Sequence, residues 1–238
     1  MTKGKANPAD DKSQVGRGRG RRRRGGPAAP LTRARIVRAA LALVDREGLQ
    51  ALSMRKLGAE LEVDPMAVYH HLPSKDALLD AIVEAIMTEI DLTRDRPADP
   101  PEERIMVCAR AYRDALLAHG NALPIALARR PATPGALRPV ELLIGVLRSA
   151  GLAPHQAVAG MNAIAAAVRG MVGMVANQGS APVEPADRSM LDERLPADLF
   201  PFLREAICNG KRDLERDFEF GIRALARGLV LPPSGQPR

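Results

Sequence analysis

Between residues 52 and 79 the chain reads LSMRKLGAELEVDPMAVYHHLPSKDALL, and this stretch limits the possible folds more than any other. It holds two short helical signals and the start of a third, with a tight polar break between the first two. Ser53 is placed as an N-cap, its hydroxyl able to satisfy an orphan amide of the turn that follows. Leu57 and Leu61 then repeat at helical spacing, and Glu62-Val63-Asp64 forms the break. Asp64 followed by Pro65 restarts a helix as cap and first-turn proline, and this second helix ends near Leu72-Pro73. Ser74 caps a third helix, in which Leu78, Leu79, Ile82, Val83, Ile86 and Ile90 make a broad apolar face. Two short helices across a tight turn, braced by a neighbour, predict a helix-turn-helix.

The second short helix is the one suited to DNA. Val68 and Leu72 stand at i and i+4 and can pin one face to a core. Met66, Ala67, Tyr69, His70 and His71 are left on or near the outside, with Arg55 and Lys75 at the flanks. Exposed side chains of this kind suit reading base edges and holding phosphates. The plainer alternative is that Tyr69 half-buries against the third helix and the histidines are solvated.

These residues carry a resemblance. From residue 32 to about 92 the chain resembles the DNA-binding domain of the tetracycline-repressor (TetR) family, through ARIVRAALALVDREG, SMRKLGAEL, VDPMAVYHHL and SKDALLDAI. The resemblance implies a recognition helix over about 65–71. It also implies DNA-contacting positions at Arg55, Pro65, Met66, Ala67, Tyr69, His71 and Lys75. The tetracycline repressor has a polar residue where Pro65 and Ala67 stand here, so its base preferences do not transfer.

Composition sets the class of the remainder. Hydrophobic residues make up 46% of the 238, aromatics only 3%, and there is no tryptophan. A core built from Ala, Leu, Val, Ile and Met favours helices over sheets. The expected fold is all-α: a three-helix helix-turn-helix domain over 31–92, then a helical effector-binding and dimerisation domain over 93–238. The proline-bearing segment 94–101 marks the boundary. No apolar stretch reads as long enough to cross a bilayer, and the N-terminus lacks the apolar centre of a signal peptide. Cys108 and Cys208 are isolated and read as buried thiols in a reducing bacterial cytoplasm.

Charge is unevenly placed. The formal net charge is +7, and residues 1–31 carry nine basic side chains against two acidic ones, so the remainder is neutral overall. The excess lies in the run GRGRGRRRRGG, within an arm over 1–30 that cannot bury a core and is expected to be disordered alone. One reading places Arg17, Arg19 and Arg21 in an A·T-rich minor groove. The other is a solubilising tail with non-specific affinity for polyanions.

Further helices are expected over 32–48, 101–119, 122–130, 134–150, 153–178, 198–208 and 211–229. The first is capped by Thr32 and closed by Gly48. The longest, with Gly160, Gly170 and Gly173 among its apolar residues, and the last are assigned to a dimer interface, since small residues let helices approach closely. The alternative is that both only fill the monomer core. Residues 100–230 are similar to the C-terminal domain of tetracycline-repressor-type regulators. This implies a homodimer built on a four-helix bundle, presenting two recognition helices to successive major grooves about 34–36 Å apart.

The resemblance also implies an effector pocket among the middle helices. Where the tetracycline repressor places polar ligands for drug and magnesium, this chain has Asp91, Cys108, Ala126 and Leu143. Tetracycline with magnesium is therefore not the expected effector, and neither metal nor cofactor is expected. Cys108, Tyr112, Ile125, Arg129, Met161, Asn162, Arg169 and Met174 are placed around the cavity, an apolar lining with few polar handles. Arg169, on an otherwise apolar helix, needs a partner, from a carboxylate of the protein or of a ligand. The four histidines form no metal-ligand repeat, and there is no phosphate-cradling glycine loop or activated nucleophile, so no enzyme is expected. The expected function is a homodimeric repressor released from a palindromic double-stranded operator by a small, largely apolar effector. The rival is an architectural or activating DNA-binding protein with no effector.

Overall fold

The four side chains read as N-caps each close a helix start. Thr32 Oγ1 accepts from Arg35 N at 3.2 Å, Ser53 Oγ from Lys56 N at 3.2 Å, Asp64 Oδ1 from Met66 N at 2.8 Å and Ser74 Oγ from Ala77 N at 3.0 Å. Each such cap contributes about 0.5–2 kcal/mol. The computed structural model describes residues 30–177, 195–209 and 213–230. Arg17, Arg19 and Arg21 of the basic arm, and the side chain of Cys208, lie outside what is described.

Among the described residues every regular element is helical. α1 spans Arg33–Glu47, α2 Met54–Glu60, α3 Pro65–His71 and α4 Lys75–Thr88. α5 spans Pro101–Ala118, α6 Leu123–Ala128, α7 Pro134–Ser149 and α8 Pro154–Asn177, followed by α9, Pro201–Asn209, and α10, Leu214–Val230. The expected helix over 122–130 is shorter, because Gly120–Ala122 forms a 3-10 turn ahead of Pro124 and Arg129 is already extended.

The first core is built from Ile36, Leu43 and Val44 of α1, Leu57 of α2, and Leu78, Ile82 and Ile86 of α4, all essentially inaccessible. The turn between α2 and α3 is tight because Gly58 has no side chain. A Cβ there would lie 3.0 Å from the Val63 carbonyl oxygen and 3.2 Å from Pro65 N, both backbone atoms that cannot yield cheaply. Glu62 takes the left-handed conformation at φ 57°, the one described non-glycine residue to do so. Within the second core, α8 packs on α5, α7 and α10. It buries Ala157, Ile164, Val168 and Val172.

Of the three glycines on the long helix, Gly160 serves packing inside the chain, whereas a Cβ on Gly170 would meet nothing within 4 Å. A Cβ on Gly160 would stand 3.2 Å from Leu229 Cδ2 and 3.3 Å from Leu147 Cδ1, so this glycine lets α10 and α7 close on α8. Along α5 and α10, Arg110 pairs with Glu219, Arg113 with Glu215, and Arg223 with Glu102 and Glu103. The segment leading into α5 is fixed by Asp95, whose carboxylate accepts Arg104 Nε at 2.8 Å and Nη2 at 2.9 Å. The Arg104 hydrogen bonds hold the Asp95 carboxyl below its ordinary range.

One expectation needs correcting. Residues Pro154–Val175 of α8 are long and apolar enough to cross a membrane by length and composition, and only 22% of the most apolar stretch is buried within the chain. The sequence reading missed this because the run is rich in alanine and glycine, so it lacks the leucine and isoleucine density of an obvious span.

Candidate DNA-reading face and effector cavity

α3 is a seven-residue helix hung from two side chains, Val68 at 0% and Leu72 at 2% exposure. Its other face is open: Met66 is 62% and Tyr69 40% exposed, and His70 and His71 are exposed. Pro65 and Ala67 are half-buried, while Arg55 on α2 and Lys75 at the start of α4 are exposed. An exposed methionine and tyrosine on so short a helix leave apolar and hydrogen-bonding surface free to meet base edges.

The second site is a cavity of about 530 Å³ among α4, α5, α7 and α8. Cys108, Tyr112, Met161, Asn162 and Arg169 line it, as expected from the sequence. Ile125, Arg129 and Met174 do not. Ile125 is buried on α6, Met174 is 56% exposed on α8, and Arg129 turns away to two carboxylates of α4. The sequence reading did not find the wall from α7, where Leu137, Pro139, Val140 and Leu143 stand, nor Arg130 and Pro131 just before that helix. The signal available for α7 was its own apolar stripe, Leu137, Val140 and Leu143 among its residues. Of the positions matched to tetracycline-repressor ligands, Cys108 and Leu143 line the cavity, Ala126 is buried elsewhere and Asp91 is exposed. Burial pushes the Cys108 thiol up to about 12, so it is an inert wall rather than a nucleophile.

Arg169 finds a phenol instead of a carboxylate. Its Nε donates to Tyr112 Oη at 2.6 Å.

Polar contacts tie α4 to the segments between the two sites. Arg129 donates from Nη2 to Asp76 Oδ1 at 2.6 Å and from Nη1 to Asp80 Oδ1 at 2.5 Å, one turn from the start of α4. His119 lies between α1 and the end of α4, with Nδ1 2.9 Å from Asp45 Oδ2 and Nε2 2.7 Å from Glu89 Oε2. Burial works against its charge, but the hydrogen bonds to Glu89 and Asp45 prevail and raise its pKa. Asn121 Nδ2 donates to the Asp45 carbonyl at 2.8 Å. Sequence gave His119 no more than a place at a helix end, because its partners are 30 and 74 residues away. α4 itself runs from Lys75 beside the DNA-reading face to Met87 on the cavity wall.

A helix-turn-helix joined through one continuous helix to an apolar cavity defines a transcriptional regulator that carries reader and sensor in one chain. Residues 36–82 match the model of bacterial regulatory proteins of the tetR family, and residues 96–231 that of the tetracyclin repressor-like C-terminal domain. The chain belongs to the TetR family: it is a DNA-binding transcriptional regulator of the ligand-responsive repressor type, which binds DNA as a dimer. It is 30% identical to the tetracycline repressor class G of Vibrio anguillarum, over 84% of this chain and 93% of that protein. It is 31% identical to the class A repressor from transposon 1721 of Escherichia coli, over 82% and 88%. The solved structure of apo ActR from Streptomyces coelicolor matches with a TM-score of 0.74 at 32% identity, covering 85% of this chain and 96% of that one. A second structure of that protein, in complex with actinorhodin, matches with a TM-score of 0.73 at 32% identity, covering 85% and 98%. The relatives are regulators, not enzymes.

Proposed function

We propose that this chain is a homodimeric repressor that leaves a palindromic operator when a small, largely apolar molecule enters the cavity of each subunit. It acts in the cytoplasm, at the nucleoid when bound, and performs no catalysis. Met66, Tyr69 and His71 reach base edges, with Pro65 and Ala67 close to the DNA, while Arg55 and Lys75 hold phosphates. The observation that carries this reading is α4, one helix with Lys75 at the DNA-reading end and Met87 at the cavity. A ligand that moves the cavity wall moves the start of α4, and the Arg129 pairs to Asp76 and Asp80 transmit the displacement. The two sites are then reciprocally coupled. The actinorhodin complex of a relative supports a small-molecule effector here.

The basic arm over 1–30 adds long-range attraction and, through Arg17, Arg19 and Arg21, minor-groove contacts. Each phosphate neutralised contributes about −0.9 to the slope of log affinity against log salt, so engaging four to six arginines predicts a slope flattened by roughly 3–5 units per arm on its deletion.

The test is footprinting and anisotropy on DNA upstream of the protein's own gene, with and without Ala166→Trp, which fills the cavity from its exposed rim. Expected are two half-sites about one helical turn apart. Apolar compounds should release wild type from them and leave the filled variant bound. Release of both proteins by the same compounds would overturn cavity gating.

A further inference from the structure

The cavity wall has a charge imbalance that an apolar ligand does not answer. Two guanidinium groups, Arg130 and Arg169, line it, and no carboxylate does among the described residues. Five other part-buried or interhelical arginines, Arg104, Arg110, Arg113, Arg129 and Arg223, each meet an acid. Arg169 has no acidic partner among the described residues, only the Tyr112 hydroxyl on its Nε. Its two Nη groups therefore keep their donors. The Tyr112 hydroxyl accepts from Arg169 and has no acceptor for its own hydrogen among the described residues. Asn162 on the same helix adds an amide without a described partner.

Arg169 and Tyr112 stand together on a wall otherwise made by Met87, Ile90, Val140, Leu143 and Ile164, and their free donors face an apolar chamber. A guanidinium half removed from water interacts more strongly with an opposite charge than a solvated one. Its planar fork matches an oxyanion in two-point contact.

We propose that the effector is an amphipathic anion, an apolar body bearing a carboxylate or sulfonate, and that Arg169 and Tyr112 receive its charged group. This rests on the cavity being the effector site. The apolar walls accept the body, and Arg130 at the rim attracts the charge on entry.

The test uses two fluorescent probes that differ in one group: 1-anilinonaphthalene-8-sulfonate and its neutral parent N-phenyl-1-naphthylamine. Both are titrated into the full-length wild type, Arg169→Met, Arg169→Lys and Ala166→Trp. Only binding abolished by Ala166→Trp counts as cavity binding. The expectation is that Arg169→Met weakens the sulfonate about tenfold, about 1.4 kcal/mol. The neutral parent should change less than about twofold, which also reports an intact fold, and Arg169→Lys, which keeps the charge but loses the fork, should recover only part of the sulfonate affinity. Equal loss of both probes in the methionine and lysine variants, or no loss of either, overturns the anion inference and leaves the cavity reading standing. Binding of neither probe in a manner sensitive to Ala166→Trp overturns the cavity reading itself.

Discussion

Seven residues make α3 and twenty-four make α8, and the two helices leave different kinds of surface uncovered. α3 has an Asp64 cap, a first-turn proline, and Val68 and Leu72 sunk into a core that α1 and α4 complete. Isolated helices shorter than about 12–15 residues are marginal in water, so those few contacts decide whether α3 exists. α8 has the length to stand by itself and buries one face against α5, α7 and α10. Val158 and Met174 remain exposed on it, beside a terminal region where Phe202 is 83% and Phe220 78% exposed. In α3 the exposed face is small and mixed, Met66 and Tyr69 beside two histidines, fit for a groove that offers both methyl groups and polar base edges. In α8 and its neighbours the exposed surface is apolar and large, fit for another copy of the chain. The open side of each helix shows its partner, and the covered side shows only how it is held.

The largest effect should come from removing the partner of the long helix. Phe220→Asp places a charge where we expect subunits to meet, and an aromatic at an interface core contributes about 2 kcal/mol or more. Analytical ultracentrifugation should find monomer at micromolar concentration and operator binding lost, while probe binding in the cavity survives. A variant that stays dimeric would break the contrast drawn between the two helices.

Leu72→Ala tests the anchoring of the short helix. Deleting a buried leucine costs about 2–5 kcal/mol, and α3 has only one other pin. Operator binding should vanish with dimerisation retained, and hydrogen exchange should rise over residues 65–71 alone. Protection lost throughout the chain would show that α3 and the second core unfold as one unit.

Tyr69→Ala and His71→Ala should act on the open face only. Each is expected to reduce discrimination between operator and random DNA by about 1–3 kcal/mol, with thermal stability held within about 0.5 kcal/mol. Lys75→Ala should weaken all sequences alike and reduce the salt slope by about one unit. Unchanged operator affinity in the first two variants would return them to the plain role of solvated residues.

A smaller effect concerns the junction. The raised pKa of His119 means its charged form is favoured in the folded state. Its contribution to stability is fully present below the ordinary histidine value and is lost as pH rises through the raised one. Wild type should therefore lose melting temperature across that window, and His119→Gln should lose less. Parallel curves for the two proteins would show that Asp45 and Glu89 do not sense the proton.

The helix-turn-helix was legible because its information is local. Ser53, Asp64, Pro65 and Ser74 write the ends of three helices within a short span, and Val68 and Leu72 are one turn apart. The cavity was legible only on the helices whose faces were assigned correctly, which gave Cys108, Tyr112, Met161, Asn162 and Arg169. Adjacent arginines show where sequence stops helping: Arg129 clamps α4 and Arg130 lines the cavity, and only the extended backbone after α6 decides which does which. The same limit hid His119, whose partners come from two other helices.

The apolarity of α8 has a consequence during synthesis. This helix leaves the ribosome before α10, the element that covers part of it, has been made. For that interval a nascent segment with the length and composition of a membrane span is without the cover that α10 provides. An arginine costs about 2.5–3.5 kcal/mol at the centre of an inserting helix and less towards its ends. Arg169 lies inside Pro154–Val175, towards its C-terminal end. The charge that we assign to ligand recognition in the finished protein therefore also biases the unfinished one away from the bilayer, so an Arg169→Leu chain would be the one to examine for mistargeting.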